Sequence, residues 1–322
     1  MRLLVILCAL AICSVAQTAG AAAAGPKQFF TWGSQLRLWQ TEALTSSVIA
    51  EGPFGEGGCT SDLDSDGKPE VSVVRGDRLG DLLWFRTDGT LERIDTEMEV
   101  HDCLEATLFG RRGLLVIQRG MQVRFYQRTA PGKWISRDIY SIYTPSYQTG
   151  LALADIDGDG RTDILCGNYW IQSPSTWEQP WHVFAVNTWF EGPESASFRI
   201  VPMPGGRGEY VAQAHADPAR FGAFTRTPDP KRQWTMRPVA PELQWKNVHG
   251  LARVGTHLVA GERAGAASRI VAIHTATGAA TVLGAGREVV TILPLDATRF
   301  LSVEADGQVT SWQLPAGRRR RR

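Results

Sequence analysis

Two stretches of the chain spell nearly the same pattern: a run of small residues, acids at alternate positions closed by glycine, then one more acid leading into an apolar run. The first is Gly57-Gly58-Cys59-Thr60-Ser61-Asp62-Leu63-Asp64-Ser65-Asp66-Gly67-Lys68-Pro69-Glu70, entering Val71-Ser72-Val73-Val74. The second runs from Thr149-Gly150-Leu151-Ala152-Leu153-Ala154 through Asp155-Ile156-Asp157-Gly158-Asp159-Gly160 to Arg161-Thr162-Asp163-Ile164-Leu165. Asp62 and Asp155 are 93 positions apart, which leaves room for two units of about 45 residues. An intervening unit is visible from His101 to Leu108, and degenerate copies start near Tyr210, His249 and Val289. Within the third unit, residues 103–108, 114–118, 123–127 and 134–139 read as four short strands between Gly- or Pro-containing turns. Such units cannot bury their own faces and must stack, so the pattern predicts an all-β chain folded as a β-propeller.

Counting innermost strands gives six blades, and counting second and third strands gives seven. The repeat length favours seven. The last unit (289–293, 300–304, 309–314) stops after three strands, while residues 29–51 supply strands without an innermost one. Pairing of N- and C-terminal strands is therefore expected to close the ring and remove exposed edges.

Residues 1–24 hold one basic residue, Arg2, then an apolar stretch and small residues, the order of a secretory signal peptide too short to span a bilayer. Ser14-Val15-Ala16 and Ala19-Gly20-Ala21 both fit a small-x-small cleavage site. The expected organisation is a leader over 1–24, one propeller over 25–314 and a solvated basic tail over 315–322 ending in Arg318 to Arg322. With Arg2 and those five arginines set aside, acids outnumber bases by five, which argues against nucleic-acid binding. A secreted or periplasmic monomer without a transmembrane segment follows, with an extracellular protein or glycan as partner. Its three remaining cysteines, Cys59, Cys103 and Cys166, read as buried small residues, at least one of them a free thiol.

The acidic loops have the spacing D-x-D-x-D-G-x-x-[DE]. Carboxylates at positions 1, 3 and 5 point inward, position 7 offers its carbonyl and the acid at 9 completes a shell of hard oxygens, which selects Ca2+. The ligands would be Asp62, Asp64, Asp66, the carbonyl of Lys68 and Glu70 in one loop. In the other they would be Asp155, Asp157, Asp159, the carbonyl of Arg161 and Asp163. An EF-hand is excluded: position 12 is Val73 or Cys166, and the flanks are strands. These residues resemble the FG-GAP, or VCBS-type, repeat propellers, a group that includes the integrin α-subunit head. The resemblance is specific at the two loops and at the strand from Gly150 to Ala154, and it implies a closed ring with structural calcium. Other units lack the full acid set and are expected to be metal-free.

Innermost strands of such a ring start at the face opposite the acidic loops. His101, Tyr210, His249 and Glu288, with adjacent Arg287, fall at those starts and are candidates for a ligand site at the channel mouth. Trp170 and Trp181, in a lengthened fourth unit, are candidates for a stacking platform for sugar rings. No hydrolase triad or zinc-protease helix is present, so no catalytic residue is assigned. The function expected is a calcium-stabilised interaction or ligand-binding module. The rival is a carbohydrate lyase or dehydratase using His101, Tyr210 and His249.

Overall fold

The structure is a computed structural model and describes residues 17–315, apart from 24, 26, 77–78, 143–145, 148, 187–193, 196–198, 204–208 and 217–218. Residues 1–16, within the expected leader, and the arginine tail lie outside the described residues.

Seven antiparallel sheets follow one another along the chain. Blade 1 contains β1 (Thr18–Ala23), β2 (Gln28–Gly33), β3 (Gln35–Gln40) and β4 (Thr45–Glu51). Blade 2 contains β5 (Phe54–Ser61), β6 (Glu70–Arg75), β7 (Gly80–Phe85) and β8 (Leu91–Met98). Blade 3 contains β9 (Val100–Leu108), β10 (Arg111–Gln118), β11 (Met121–Ala130) and β12 (Lys133–Ile142). Two short strands that flank blade 4 along the chain, β13 (Ser146–Tyr147) and β18 (Glu194–Ser195), pair in parallel; the strands of blade 4 are β14 (Leu151–Ala154), β15 (Asp163–Cys166), β16 (Tyr169–Gln172) and β17 (His182–Ala185). Blade 5 contains β19 (Arg199–Met203), β20 (Glu209–Ala216), β21 (Ala219–Thr225) and β22 (Thr235–Pro238). Blade 6 contains β23 (Val248–Val254), β24 (His257–Glu262), β25 (Arg269–His274) and β26 (Ala280–Ala285). Blade 7 has three strands among the described residues, β27 (Val289–Pro294), β28 (Arg299–Glu304) and β29 (Val309–Gln313).

Middle strands must be apolar on both faces, because each blade is sandwiched between two others. Strand alternation delivers this: Phe29 packs into the cluster shared with blade 7, and the next residue, Phe30, into the cluster shared with blade 2. Leu114 and Leu115 divide likewise between blades 2 and 4, and Leu258 and Val259 between blades 5 and 7. Every one of the seven junctions carries its own apolar cluster. Outer strands read polar, as in β22, all four residues of which are exposed.

The N-terminal end corrects the expectation of how the ring closes. Thr18–Ala23, inside the residues read from sequence as a leader, forms the innermost strand of blade 1 and pairs with β2 from Thr18↔Gly33 to Ala23↔Phe29. Ring closure then needs no shared sheet: among the described residues no N-terminal strand joins blade 7. Instead β1 lies beside β27, the backbone N–H of Thr18 donates to the Ala305 carbonyl at 2.9 Å, and Phe29 meets Leu293, Leu301 and Val303. The overlap of this strand with the leader pattern has a physical cause. Strands nearest the axis are crowded and demand small residues: a Cβ on Gly20 would lie 2.5 Å from the Trp32 ring. The same Thr-Ala-Gly-Ala-Ala-Ala therefore satisfies both a leader's end and an innermost strand.

The disulfide state of the cysteines, open in the sequence, follows from strand packing. Cys59 on β5 and Cys103 on β9 form a disulfide (Cα–Cα 5.4 Å), and Cys166 is buried and free. The pair is 44 residues apart, one repeat, so equivalent positions of successive innermost strands stand side by side.

A chain begun at Gly25 is expected to be less stable than one begun at Gln17 by at least about 3 kcal/mol, the scale of emptying one large buried site. Chemical denaturation reads the difference, and equal midpoints would contradict the place given to β1.

Candidate functional site

The acidic loops connect the first and second strands of blades 2 and 4, at one face of the ring. In the first, the alternating acids fold the backbone around themselves. Asp62 Oδ1 accepts the Gly67 N–H at 3.3 Å, Asp64 Oδ1 that of Asp66 at 3.3 Å, and Asp66 Oδ1 that of Lys68 at 2.8 Å. Gly67 takes φ of +77°, where a side chain would be strained. Donor atoms of Asp62, Asp64, Asp66 and Glu70 all lie within 4.8 Å of one another.

Glu70 is 1% exposed. Its Oε2 accepts the Leu63 N–H at 2.9 Å, while Oε1 is buried with no hydrogen-bond partner. Burial, with the charges of Asp64 and Asp62, pushes its pKa up to about 8. A buried carboxylate with an open oxygen, beside three more acids, is a donor set that could hold a metal ion. Arg86 supplies positive charge from one side, donating to Asp64 Oδ2 through Nε and Nη2 at 3.0 and 2.7 Å. Burial resists ionisation of Asp64, but this guanidinium outweighs it and holds the pKa below the ordinary value.

The second loop is built alike, with Asp155 accepting from Gly158, Asp159 and Gly160, and Asp159 Oδ1 accepting the Arg161 N–H at 2.9 Å. Its closure differs. Asp163 Oδ2 accepts the Ile156 N–H at 3.1 Å, as Glu70 does in its own loop, but Oδ1 is taken by the Ser173 N–H at 2.7 Å. The cluster therefore contains Asp155, Asp157 and Asp159 without Asp163. Burial pushes the Asp163 pKa up to about 7. Both clusters are all-oxygen and could hold a metal ion. Loop 1 offers four carboxylates and loop 2 three.

At the opposite face, each innermost strand packs beside the next and β27 lies beside β1, so seven strand starts surround one channel mouth. His249 is 4% exposed, its Nδ1–H donates to the Val290 carbonyl at 3.0 Å, and Arg199 Nε donates to the His249 carbonyl at 2.8 Å. Burial and then Arg199 push its pKa down to about 4, so the ring is neutral at pH 7. His101 sits second in β9. Glu288 Oε1 accepts the Gly265 N–H at 2.9 Å, and Arg287 pairs with Glu304 at 3.2 Å. These two line a cleft of about 380 Å³ with Glu304, Asp306 and Gln308.

Tyr210 does not join them. It lies on β20, the second strand of blade 5, paired with Pro202 near the far end of β19, so it belongs to the other end of the blade. Trp170 and Trp181 do not form an exposed platform either. Trp170 is fully buried and packs against Phe184 at a tilt of 30° with centroids 5.0 Å apart, and Trp181, 4% exposed, packs edge-on against Phe109 of blade 3.

Residues not singled out from sequence complete the mouth. Glu56 of β5 pairs with Arg263, which follows β24, at 3.3 Å. Blades 2 and 6 are three junctions apart, the maximum in a ring of seven, so this pair spans the mouth. Asp102 accepts the Cys103 and Leu151 N–H groups, each at 2.9 Å. Burial raises its pKa, with Arg199 pulling the other way. Glu56 and Asp102 share one offset, third in their innermost strands, while Arg263 follows the end of a second strand; that both positions face the mouth is visible only once the blade register is known.

The family model for the FG-GAP-like repeat matches residues 110–166, a span that contains the second acidic loop. Solved structures match over nearly the whole length. The Cps50 (Swd1) β-propeller domain of Myceliophteria thermophila aligns over 93% of this chain and 96% of its own, with TM-score 0.62 and 10% identity. The chain is a β-propeller with an FG-GAP-like repeat at residues 110–166. YCF48 from Cyanidioschyzon merolae (92% and 95%, TM-score 0.59, 11% identity) and the BP39L lectin from Burkholderia pseudomallei (92% and 95%, TM-score 0.57, 11% identity) share the propeller fold. No curated protein matches it in sequence. No helix among the described residues is long and apolar enough to cross a membrane.

The His249 shift has a stability consequence. The unfolded chain takes up a proton below about pH 6.5 and the native ring only below about 4. This contribution is therefore complete above pH 6.5, shrinks as pH falls towards 4 and is gone below it, roughly 3 kcal/mol in all. His249→Gln should flatten that part of the melting-temperature profile, and an unaltered profile would refute it.

Proposed function

We propose that this propeller is a secreted, calcium-stabilised binding module whose channel mouth receives the carboxylate of an extracellular small molecule or glycan. The observation that carries the reading is the convergence of Arg199, Arg263, Glu56, Asp102 and neutral His249 from four blades onto one mouth. Two guanidiniums offer bidentate donors suited to a carboxylate. Glu56 already occupies one of them, as an internal stand-in for such a ligand. An acid–base reaction at this mouth lacks support, since Tyr210 lies at the other end of its blade.

Calcium fits the loops because their donors are hard oxygens, and in loop 1 Glu70 Oε1 is a buried oxygen without a partner. Bound calcium would offset the clustered negative charge; Asp62, Asp64, Asp66, Glu70 and the Lys68 carbonyl would hold it in one loop, and Asp155, Asp157, Asp159 and the Arg161 carbonyl in the other. Secretion is supported by the Cys59–Cys103 disulfide, a bond of oxidising compartments, and by the leader pattern. Cleavage after Ala16 keeps β1 whole, whereas cleavage after Ala21 would remove most of it. The module is expected to act as a monomer.

Calorimetry should find two calcium sites, the tighter in loop 1, with Glu70→Gln weakening that site at least about tenfold. Chelator should lower the melting temperature through linkage. No shift on chelation, or a tighter site in loop 2, would overturn the assignment. For the mouth, glucuronate should bind and glucose should not. Arg263→Met should weaken glucuronate binding about tenfold or more, the worth of one charge-assisted hydrogen bond, and Glu56→Gln should strengthen it. Indifference to both substitutions rules the mouth out.

A further inference from the structure

Blade 6 lacks an acidic loop. The connection from β23 to β24 is a short turn at Gly255-Thr256, on the ring face that carries the acidic loops in blades 2 and 4. Next to it stand two histidines. His257 opens β24, His274 closes β25, and the register pairs them directly across the antiparallel ladder, the relation that brings cross-strand side chains closest. Their ring centroids are 5.1 Å apart and the planes lie at 89°.

From these we infer that His257 and His274 form a site for a borderline divalent ion of the zinc class, separate from the acidic loops. The spacing is that of two imidazoles on one ion: nitrogen–metal distances of about 2.0–2.1 Å at a tetrahedral centre put the ring centroids about 5 Å apart. The chemistry agrees. Imidazole nitrogen prefers zinc, copper or nickel over calcium, whereas the carboxylate loops prefer the reverse. His274 also carries a ligand atom without other employment, since its Nδ1 is buried with no hydrogen-bond partner among the described residues. His257 Nδ1 faces the Thr256 hydroxyl at 3.3 Å, a contact that orients the ring and leaves Nε2 for coordination. With two protein ligands, the remaining positions on the ion are open to water or to a ligand atom from a partner.

The alternative is a plain edge-on aromatic pair, and phenylalanine substitution separates the two because it keeps the ring contact and deletes the ligand atom. Zinc is titrated calorimetrically into the full chain saturated with calcium, and cobalt is followed by its visible absorption as a geometry probe. One equivalent is expected to bind, at least about tenfold more weakly in both His257→Phe and His274→Phe, with affinity retained in Glu70→Gln. Melting temperatures of both variants serve as the folding control. Absence of zinc binding in the unaltered chain, or weakening in one variant or neither, overturns the site.

Discussion

Phe29 and Phe30 are neighbours in sequence, yet each serves a different wedge: one joins blade 1 to blade 7 and the other joins it to blade 2. This two-sided burial is the interaction on which the ring depends. A lone four-stranded sheet with apolar residues on both faces has nowhere to hide either, so a blade is stable only between two others. Seven wedges in a closed circuit leave no unmatched face, and the wedge between blades 7 and 1 closes the ring although its two sheets share no strand. The Cys59–Cys103 bond fastens one further junction covalently, between innermost strands that already pack.

Much of this was legible in the sequence because the repeat imposes period and alternation together. Blade number followed from repeat length, and the loops from their acids. What stayed hidden depended on small residues and on register. The Thr18–Ala23 run was indistinguishable from a leader's end because crowding at the axis selects the same residues that processing does. The innermost strand of blade 5, Arg199–Met203, carries a weak strand signal, one apolar pair and a proline, so the sequence points to Tyr210, eleven residues later. Register puts Arg199, not Tyr210, at the mouth end of the blade. The tryptophans were open from composition alone, since a buried wedge and an exposed platform use the same residue; burial decided for the wedge.

The two acidic loops show how one methylene changes a site. Glu70 and Asp163 occupy the same motif position, and both spend one oxygen on the N–H two positions after the small-residue strand, Leu63 or Ile156. The longer glutamate brings its second oxygen back among the other acids. The shorter aspartate meets Ser173 instead. The motif treats the two acids as equivalent, and the geometry does not. Arg86 adds a further asymmetry: it holds Asp64 from one side while stacking on Trp84 at 4.8 Å, with Arg128 at 4.8 Å on the same indole. Loop 1 is thereby tied to the wedge between blades 2 and 3, so the order of its acids depends on ring closure.

The same closure explains the mouth. Innermost strands start at the mouth and second strands end there, so residues scattered through the sequence at those two positions must converge, and 207 positions separate Glu56 from Arg263 along the chain. Their pair across the channel costs little to form because the blades have already fixed both backbones. Its strength is limited, since Glu56 remains half exposed and water competes for it. In the proposed reading, this weak internal pair holds a guanidinium in place over the channel until an external carboxylate displaces its partner. A deeply buried pair there would have sealed the mouth.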